Sequence, residues 1–559
     1  MVEASSSRKL ATDVIGNFFS TVAQLNAWVV LCWFIVLLLL VPIASVVIAA
    51  FGTSSGLWLH LSQTVLPRYL WNTLALMAGV SMVALVFGVT TAWAVTRYDF
   101  PARRTFELML LLPAAVPAYL IAYTYTDFLE YAGPVQGGLR DLFGWRNARD
   151  YWFPEIRSLG GAWLVMGAVL YPYVFMMARA AFLLTPASYY ETAMVSGRNV
   201  FWGVAIPLAR PAIVAGLALV LMEVLSDFGT VEYFAIETLT LGIFNVWLGM
   251  NSLATAAQLS LVAFIFVAAL LIIEQKARSR RRYADKSRRA RLLAPARLLG
   301  WKAALAVAVC AIPILVGFIL PVGILLSFVV RDQSLAFNSA MILAAQNSLL
   351  LAAVVTLSLM MLAAYVAVVA NHQSGNSLAR AATIGSLGYA FPGTILAIGV
   401  IVAAGFADRT ASGVLGMFGI AYSGWLVGSL GLLVCACVCR FMAVGYGAVV
   451  AGHARIPPNL THASRTLGQG MAGTMSRVVI PLLARSVIAG GVLVFVDVMK
   501  ELPMTLLLRP FNFETLATYV YQFAKDELLE EAALPALLII LAGIPPVFLM
   551  NAALRNVAK

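Results

Sequence analysis

The segment "YYETAMVSGRNVFWGVAIPLARPAI", Tyr189 to Ile213, sets Glu191, Arg198, Asn199, Arg210 and two prolines into a chain that is otherwise strongly apolar. Of 559 residues, 62% are hydrophobic and 11% charged. Soluble domains carry roughly 25% charged residues. The chain therefore reads as an integral membrane protein, and its natural unit is a span of about 20 apolar residues. A polar interruption of this kind needs a reason.

Twelve apolar runs are long enough to cross a bilayer: 28–51, 72–96, 106–128, 161–184, 209–230, 253–273, 303–330, 347–370, 381–404, 413–439, 483–500 and 533–553. The opening segment lies between the fourth and fifth. The first run follows 27 mostly polar residues and is too long for a signal-peptide core, so it reads as a retained helix. No intervening stretch is long enough for a separate domain, and the expected class is all-α. With the N-terminus placed inside and each charge assigned to its nearer side, the inner segments hold 27 Lys/Arg and 7 Asp/Glu, the outer ones 10 and 18. Basic residues are retained on the cytoplasmic side during insertion. Both termini and the opening segment are therefore expected in the cytoplasm. Eleven basic residues sit in one inner segment, Lys276 to Lys302. Topology accounts for the net charge of +12 without a nucleic-acid partner, and this run reads as an anchor to the lipid bilayer's inner leaflet.

The five Cys (32, 310, 435, 437 and 439) all fall in apolar runs. In "CACVC" the thiols spread around a helix with no His nearby, so small-residue helix packing is the reading. No disulfide framework and no permanent metal site are expected.

The chain repeats itself. "WNTLAL" (Trp71 to Leu76) recurs as "QNSLLL" (Gln346 to Leu351), 275 residues on. "LPAAVPAYLIA" (Leu112 to Ala122) aligns with "LGYAFPGTILA" (Leu387 to Ala397) at the same offset, and "IPLARPAIVAG" (Ile206 to Gly216) with "IPLLARSVIAG" (Ile480 to Gly490) at 274. The expected organisation is a first six-span half (1–275), a basic cytoplasmic linker (276–302) and a second six-span half (303–559). Both halves begin and end inside, so they are parallel repeats about an axis along the membrane normal.

The opening segment then reads as a short helix outside the bilayer. Pro186 can start it, Gly197 can break it, and Pro207 suits the start of the next span. The second half has the same device between Pro457 and Pro481. Two symmetric handles suggest a two-fold partner.

At "ETAMVSG" (Glu191 to Gly197) followed by Ile206-Pro207, the chain resembles the membrane permease of ATP-binding-cassette importers. That family carries Glu-Ala-Ala, three residues and Gly, then Ile/Leu-Pro. "HASRTLG" (His462 to Gly468) with Ile480-Pro481 matches more loosely, His462 standing where Glu is expected. The resemblance implies a type I ABC importer permease fold. It also implies coupling to an ATPase through Glu191, Ala193, Gly197 and Pro207 near 186–207, and through His462, Ala463, Gly468 and Pro481 near 457–481. The Gly-to-Pro interval is 10 residues in the first half and 13 in the second. The longer one matches the family, so the first loop is expected to be one helical turn shorter.

"LMEVLSDFGTVEYFAIETLTLGIFNVWLGM" (Leu221 to Met250) and the segment from Asp497 to Leu537 are similar to the fused-half permeases of ferric-iron importers. This likeness implies a bacterial inner-membrane subunit. A periplasmic iron-binding protein delivers the metal to it, and a cytoplasmic ABC ATPase dimer drives it. No Walker A loop (G-x-x-x-x-G-K-[ST]) is present, so ATP is used by a separate chain. No cofactor is expected here, and no nucleophile–base constellation suggests an enzyme.

Iron(III) is a hard cation that favours oxygen ligands. Glu223 and Asp227 stand four apart, on one helix face. Their repeat counterparts are Asp497 and Glu501. The pseudo-two-fold axis is expected to bring these four carboxylates to one path, with Glu223 facing Asp497 near its outer mouth. Related sulfate and molybdate permeases also carry an acidic-Phe-Gly at "DFG" (Asp227 to Gly229), so scaffold or docking is the alternative for Asp227. Lys500 is expected to neutralise its neighbour Glu501. The tyrosines of "AYLIAYTYTDF" (Ala118 to Phe128) are phenolate candidates, or belt and packing residues. Two other functions stay open: the same architecture importing thiamine, a polyamine or an inorganic anion, and a twelve-helix secondary transporter, which needs no paired handles.

Overall fold

The computed structural model describes residues 27–54, 56–280, 295–331, 338–372 and 376–558. These residues are mostly helical, with loops between the helices. Among the described residues, eleven helices are long and apolar enough to cross a membrane, and the number is twelve when a bent pair, Arg103–Ala115 with Ala118–Phe143 at 91°, is taken as one broken span. The run 106–128 is thus not one continuous helix. A short 3-10 turn, Leu112–Ala115, ends at Val116, whose backbone is extended. Pro117 follows and opens the helix Ala118–Leu129. A proline disfavours the α conformation in the residue before it, which sets the break. The second half repeats the device with the turn Leu387–Ala390 and Pro392.

That repeat moves two span boundaries. Span nine is Gly393–Met417, where the sequence suggested 381–404, and span ten is Leu430–His453, where it suggested 413–439. The apolar run hides a loop. Gly419, Gly424 and Gly428 all have positive φ, and Asp408 accepts hydrogen bonds from the Tyr422 hydroxyl (2.7 Å) and the Val427 N–H (3.2 Å) across it. The "CACVC" cysteines ride on Leu430–His453, with Cys435 exposed and Cys437 and Cys439 buried.

The described residues form two compact units. The larger comprises Pro42–Val355, Ala390–Cys437 and Val492–Lys559. Its most extensive helix pair is Leu66–Arg97 against Leu159–Leu184, where Gly167 lets Val83 approach so closely that a methyl group would collide with it. Close approach through small residues is how helices pack without a hydrophobic driving force. An apolar cluster including Leu61, Tyr69, Ile243, Ala257 and Ile395 joins segments from both halves. Glu107 and Arg179 form a buried ion pair at 2.7 Å, with Arg103 adding a second contact at 3.4 Å.

The smaller unit comprises Met1–Val41, Thr356–Tyr389 and Val438–Gly491. Within it, the Tyr365 hydroxyl donates to the Trp28 carbonyl at 2.7 Å, and Gly445 lies against Leu359 and Met360.

The repeats are chemical as well as sequential. In the first half, the Asn72 amide donates to the Glu237 carbonyl (3.0 Å), and the Leu239 N–H donates to the Thr73 hydroxyl (3.0 Å). In the second, Asn347 donates to the Glu514 carbonyl (2.9 Å), and the Leu516 N–H donates to the Ser348 hydroxyl (2.6 Å). The Asn-Thr of "WNTLAL" and the Asn-Ser of "QNSLLL" therefore do one job twice. Each pins the irregular segment after span five or eleven to the span carrying the motif.

One departure from the all-helical pattern falls at the linker. Leu253–Arg280 continues the sixth span as helix, and residues 281–294 lie outside the described residues. Beyond them, Ala296–Arg297 pairs in parallel with Tyr98–Asp99, and the Leu298 N–H donates to the Asp99 carbonyl at 2.9 Å.

Candidate coupling and translocation sites

In the larger unit, Pro186 precedes the helix Ala187–Val195. Gly197 has φ +66. The Arg198 N–H reaches back to the Ala193 carbonyl at 2.9 Å, and the Gly197 N–H to Met194 at 3.2 Å. This is a helix stopped by a left-handed residue, the conformation only glycine adopts without strain. Asn199 then accepts from the Phe201 and Trp202 N–H groups (3.0 and 3.1 Å), starting a π-helical turn, Phe201–Ala205. Ile206–Ser226 follows, with Pro207 in its first turn. Glu191 is exposed and Ala193 is buried.

In the smaller unit, the helix Pro458–Thr466 ends at Gly468, whose φ is +81. The Gln469 N–H reaches the Ser464 carbonyl at 3.1 Å, the same closing bond. A π turn, Met475–Val479, again precedes Ile480 and Pro481. The three extra residues lie between Gly468 and that turn, where an additional short helix, Met471–Thr474, is inserted. The first loop is thus the shorter by about one turn. Ala463, Gly468 and Pro481 are exposed, whereas the side chain of His462 lies outside the described residues.

One residue of the first loop's surroundings had no signal in the sequence. Trp93, on Leu66–Arg97, packs its ring against Phe182 (5.3 Å), Tyr190 (6.1 Å) and Phe201 (5.2 Å). It joins two spans to both sides of the short helix. Its repeat counterpart is Val368, so this position carries no ring in the second half.

The candidate acids stand at the other end of span five. Asp227 accepts from the Thr230 N–H (3.0 Å), the Thr230 hydroxyl (3.1 Å) and the Val231 N–H (3.3 Å). It caps the turn of helix Gly229–Tyr233. Glu501 does the same for Pro503–Leu508, accepting from the Met504 N–H at 3.0 Å. Lys500 forms an ion pair with Asp497 at 3.0 Å, one turn back along its own span, and Glu223 of the first half lies within electrostatic reach of the same ammonium. The contact given for the lysine read as a partner of its neighbour Glu501 is thus with Asp497.

The halves meet here. A side chain on Gly229 would strike both Tyr119 of the first half and Leu502 of the second. Leu502 is the repeat counterpart of Phe228, and both are buried. Further out, Tyr521 hydrogen-bonds to Glu232, and Lys525 stands 3.7 Å from the same carboxylate. Arg157 bridges Glu130 (2.6 Å) and Glu527 (2.9 Å) and covers the Tyr233 ring. Partial burial works against its charge, but the Glu527 hydrogen bond and the Tyr233 and Glu130 groups outweigh this and raise the guanidinium above its usual range. Pairs such as Arg157–Glu527 join residues hundreds apart, so no local pattern announces them. Among the described residues, no group of three or more His, Cys, Asp or Glu is arranged to hold a metal ion.

No family model matches the chain. It is 23% identical over 536 residues to the Fe(3+)-transport system permease protein FbpB 2 of Haemophilus influenzae, covering 93% of this chain and 98% of that protein. It is 23% identical over 490 residues to the ferric transport system permease protein FbpB of Actinobacillus pleuropneumoniae, covering 83% and 68% respectively. The sulfate transport system permease protein CysW of Escherichia coli is 29% identical over 246 residues, 41% of this chain and 80% of that protein. The chain thus resembles fused-half ferric permeases along nearly its whole length.

Proposed function

We propose that this chain is the membrane-spanning permease subunit of an ATP-driven importer of iron(III). The observation that carries the reading is the extent of the likeness: a ferric permease aligns over 93% of this chain and 98% of its own length, across both halves. The twin Gly-stopped helices support it. They supply the paired contacts that a two-fold motor subunit needs, and they weigh against a secondary transporter.

In this account the halves are 1–275 and 303–559, joined by the basic segment 276–302. Glu191, Ala193, Gly197 and Pro207, with His462, Ala463, Gly468 and Pro481, transmit closure of a cytoplasmic ABC ATPase dimer. The protein lies in a bacterial inner membrane with both termini inside, and a periplasmic binding protein delivers the metal. The path runs between the halves past Glu223, Asp227, Asp497 and Glu501. Asp227 and Glu501 shape it as helix caps, and Glu223 and Asp497 stand beside Lys500. The chain holds no cofactor, and the ion passes without a permanent site. The second reading, import of an inorganic anion, draws on the sulfate permease likeness and on Lys500. Uptake of radiolabelled iron(III) by cells with and without the gene, beside labelled sulfate and molybdate, tests the choice. Gene-dependent iron uptake supports the account, and gene-dependent anion uptake alone refutes it.

A further inference from the structure

We propose that Tyr119 and Tyr123 form a ligand station for a hard trivalent cation where the two halves meet; this rests on the iron reading above. Both hydroxyls are buried and have no hydrogen-bond partner, although their residues are only 5% and 2% exposed. A buried hydroxyl left unsatisfied costs about 1–3 kcal/mol, and native structures keep few such groups. Tyr171 shares this condition elsewhere in the fold; what sets Tyr119 and Tyr123 apart is that they stand four residues apart on one helix face with ring centres 5.7 Å apart, so one entering ion can meet both. Tyr125 of the same helix shows the contrast: its hydroxyl donates to the Val316 carbonyl at 2.8 Å, as a packing tyrosine does.

The position is marked in both repeats. The counterpart of Tyr119 is Thr394, whose hydroxyl is also buried and unpartnered, as is that of Thr505. Hydroxyls alone would suit an oxyanion as well as a cation. The charges around them decide. Asp227 and Glu501 lie within electrostatic reach of Tyr119, and Glu232 within that of Tyr123. Lys525 offsets Glu232, and Lys500 is held by Asp497; the Asp227 and Glu501 carboxylates then disfavour sulfate or molybdate near Tyr119 and favour a cation.

The chemistry balances without redox change. As the ion enters, each phenol O–H bond breaks, an oxygen–metal bond forms, and the proton passes to a neighbouring carboxylate, Glu501 or Glu232. The iron stays trivalent. Release reverses these steps. Two phenols and no fixed cluster make a station weak enough to let the ion leave, as transport requires.

The test uses the intact permease–ATPase complex in lipid nanodiscs, without binding protein, titrated with ferric citrate. Phenolate bound to iron(III) gives a visible charge-transfer band that gallium(III) does not. The wild type should develop this band, and the Tyr119→Phe/Tyr123→Phe variant should lack it. Cellular iron uptake should fall by about tenfold or more in that variant, at least the loss seen when groups supporting a metal site are removed. Tyr131→Phe, at an exposed position, should behave as wild type. Either single Phe variant, read by the same band, serves if the double variant does not assemble. Wild-type iron uptake in the double variant, or no band from a wild type that transports iron, overturns the station alone. A wild type that takes up no iron overturns the proposed function instead.

Discussion

Replacing Asp227 separates a structural carboxylate from one that handles cargo. It accepts three hydrogen bonds from Thr230 and Val231. Asp227→Ala removes all three, at about 1 kcal/mol each, which agrees with the roughly 0.5–2 kcal/mol usual for a lost cap plus one side-chain bond. The expected destabilisation is about 2–3 kcal/mol. Asp227→Asn keeps a carbonyl oxygen for the two N–H groups, and the Thr230 hydroxyl can rotate to accept from the new amide. Its expected cost is below about 1 kcal/mol. The assay pairs thermal denaturation of detergent-purified complex with iron uptake normalised to membrane-inserted protein. If Asp227 is a cap, Asn retains uptake within about twofold, and Ala loses both yield and melting temperature. Uptake reduced by tenfold in a fully stable Asn variant would refute the reasoning, because only the charge would then be missing. Glu501→Gln, which preserves the bond to the Met504 N–H, should mirror Asp227→Asn.

Gly197→Pro cannot reproduce φ +66 and loses the N–H bonded to Met194; it should abolish uptake and ATPase stimulation while the protein still reaches the membrane, and Gly468→Pro should act alike. His462→Ala should be milder, since the family's Glu is already absent there. Glu107→Gln removes the charge paired with the buried Arg179 and should cost about 3–5 kcal/mol in denaturation experiments, with Arg179→Met on top restoring much of it. A cysteine at Ser287 should resist an impermeant thiol reagent applied from outside, and labelling from that side would reverse the topology.

Much of the fold was legible because membrane spans and repeats leave coarse signals. The Asn-Thr and Asn-Ser pairs of the recurring motif turned out to pin equivalent segments, which is why the motif recurs. The helix-ending turns at Gly197 and Gly468 were legible, since a left-handed stop leaves few other residues possible. Hydropathy failed at 413–439, where apolar residues continue straight through a glycine-turned loop. It also failed at the Pro117 break, because a bend costs no hydrophobicity. At the candidate site, the four acids were visible but not their duties. Whether a carboxylate caps a turn or meets a lysine depends on residues three or four positions away and on the facing half. The tyrosines of "AYLIAYTYTDF" stood out as candidates, but which of their hydroxyls are idle could not be read, because Tyr125 looks the same in sequence and its hydroxyl donates to Val316.

The central claim is ATP-driven passage of iron(III) through this chain. The most direct measurement reconstitutes it with its ATPase in proteoliposomes and adds binding protein loaded with labelled iron(III). The account predicts iron accumulating inside only when ATP is present on the ATPase side, and no accumulation of sulfate or molybdate offered to the same vesicles. Iron uptake independent of ATP, or ATP-driven uptake of the anions without iron, would contradict it.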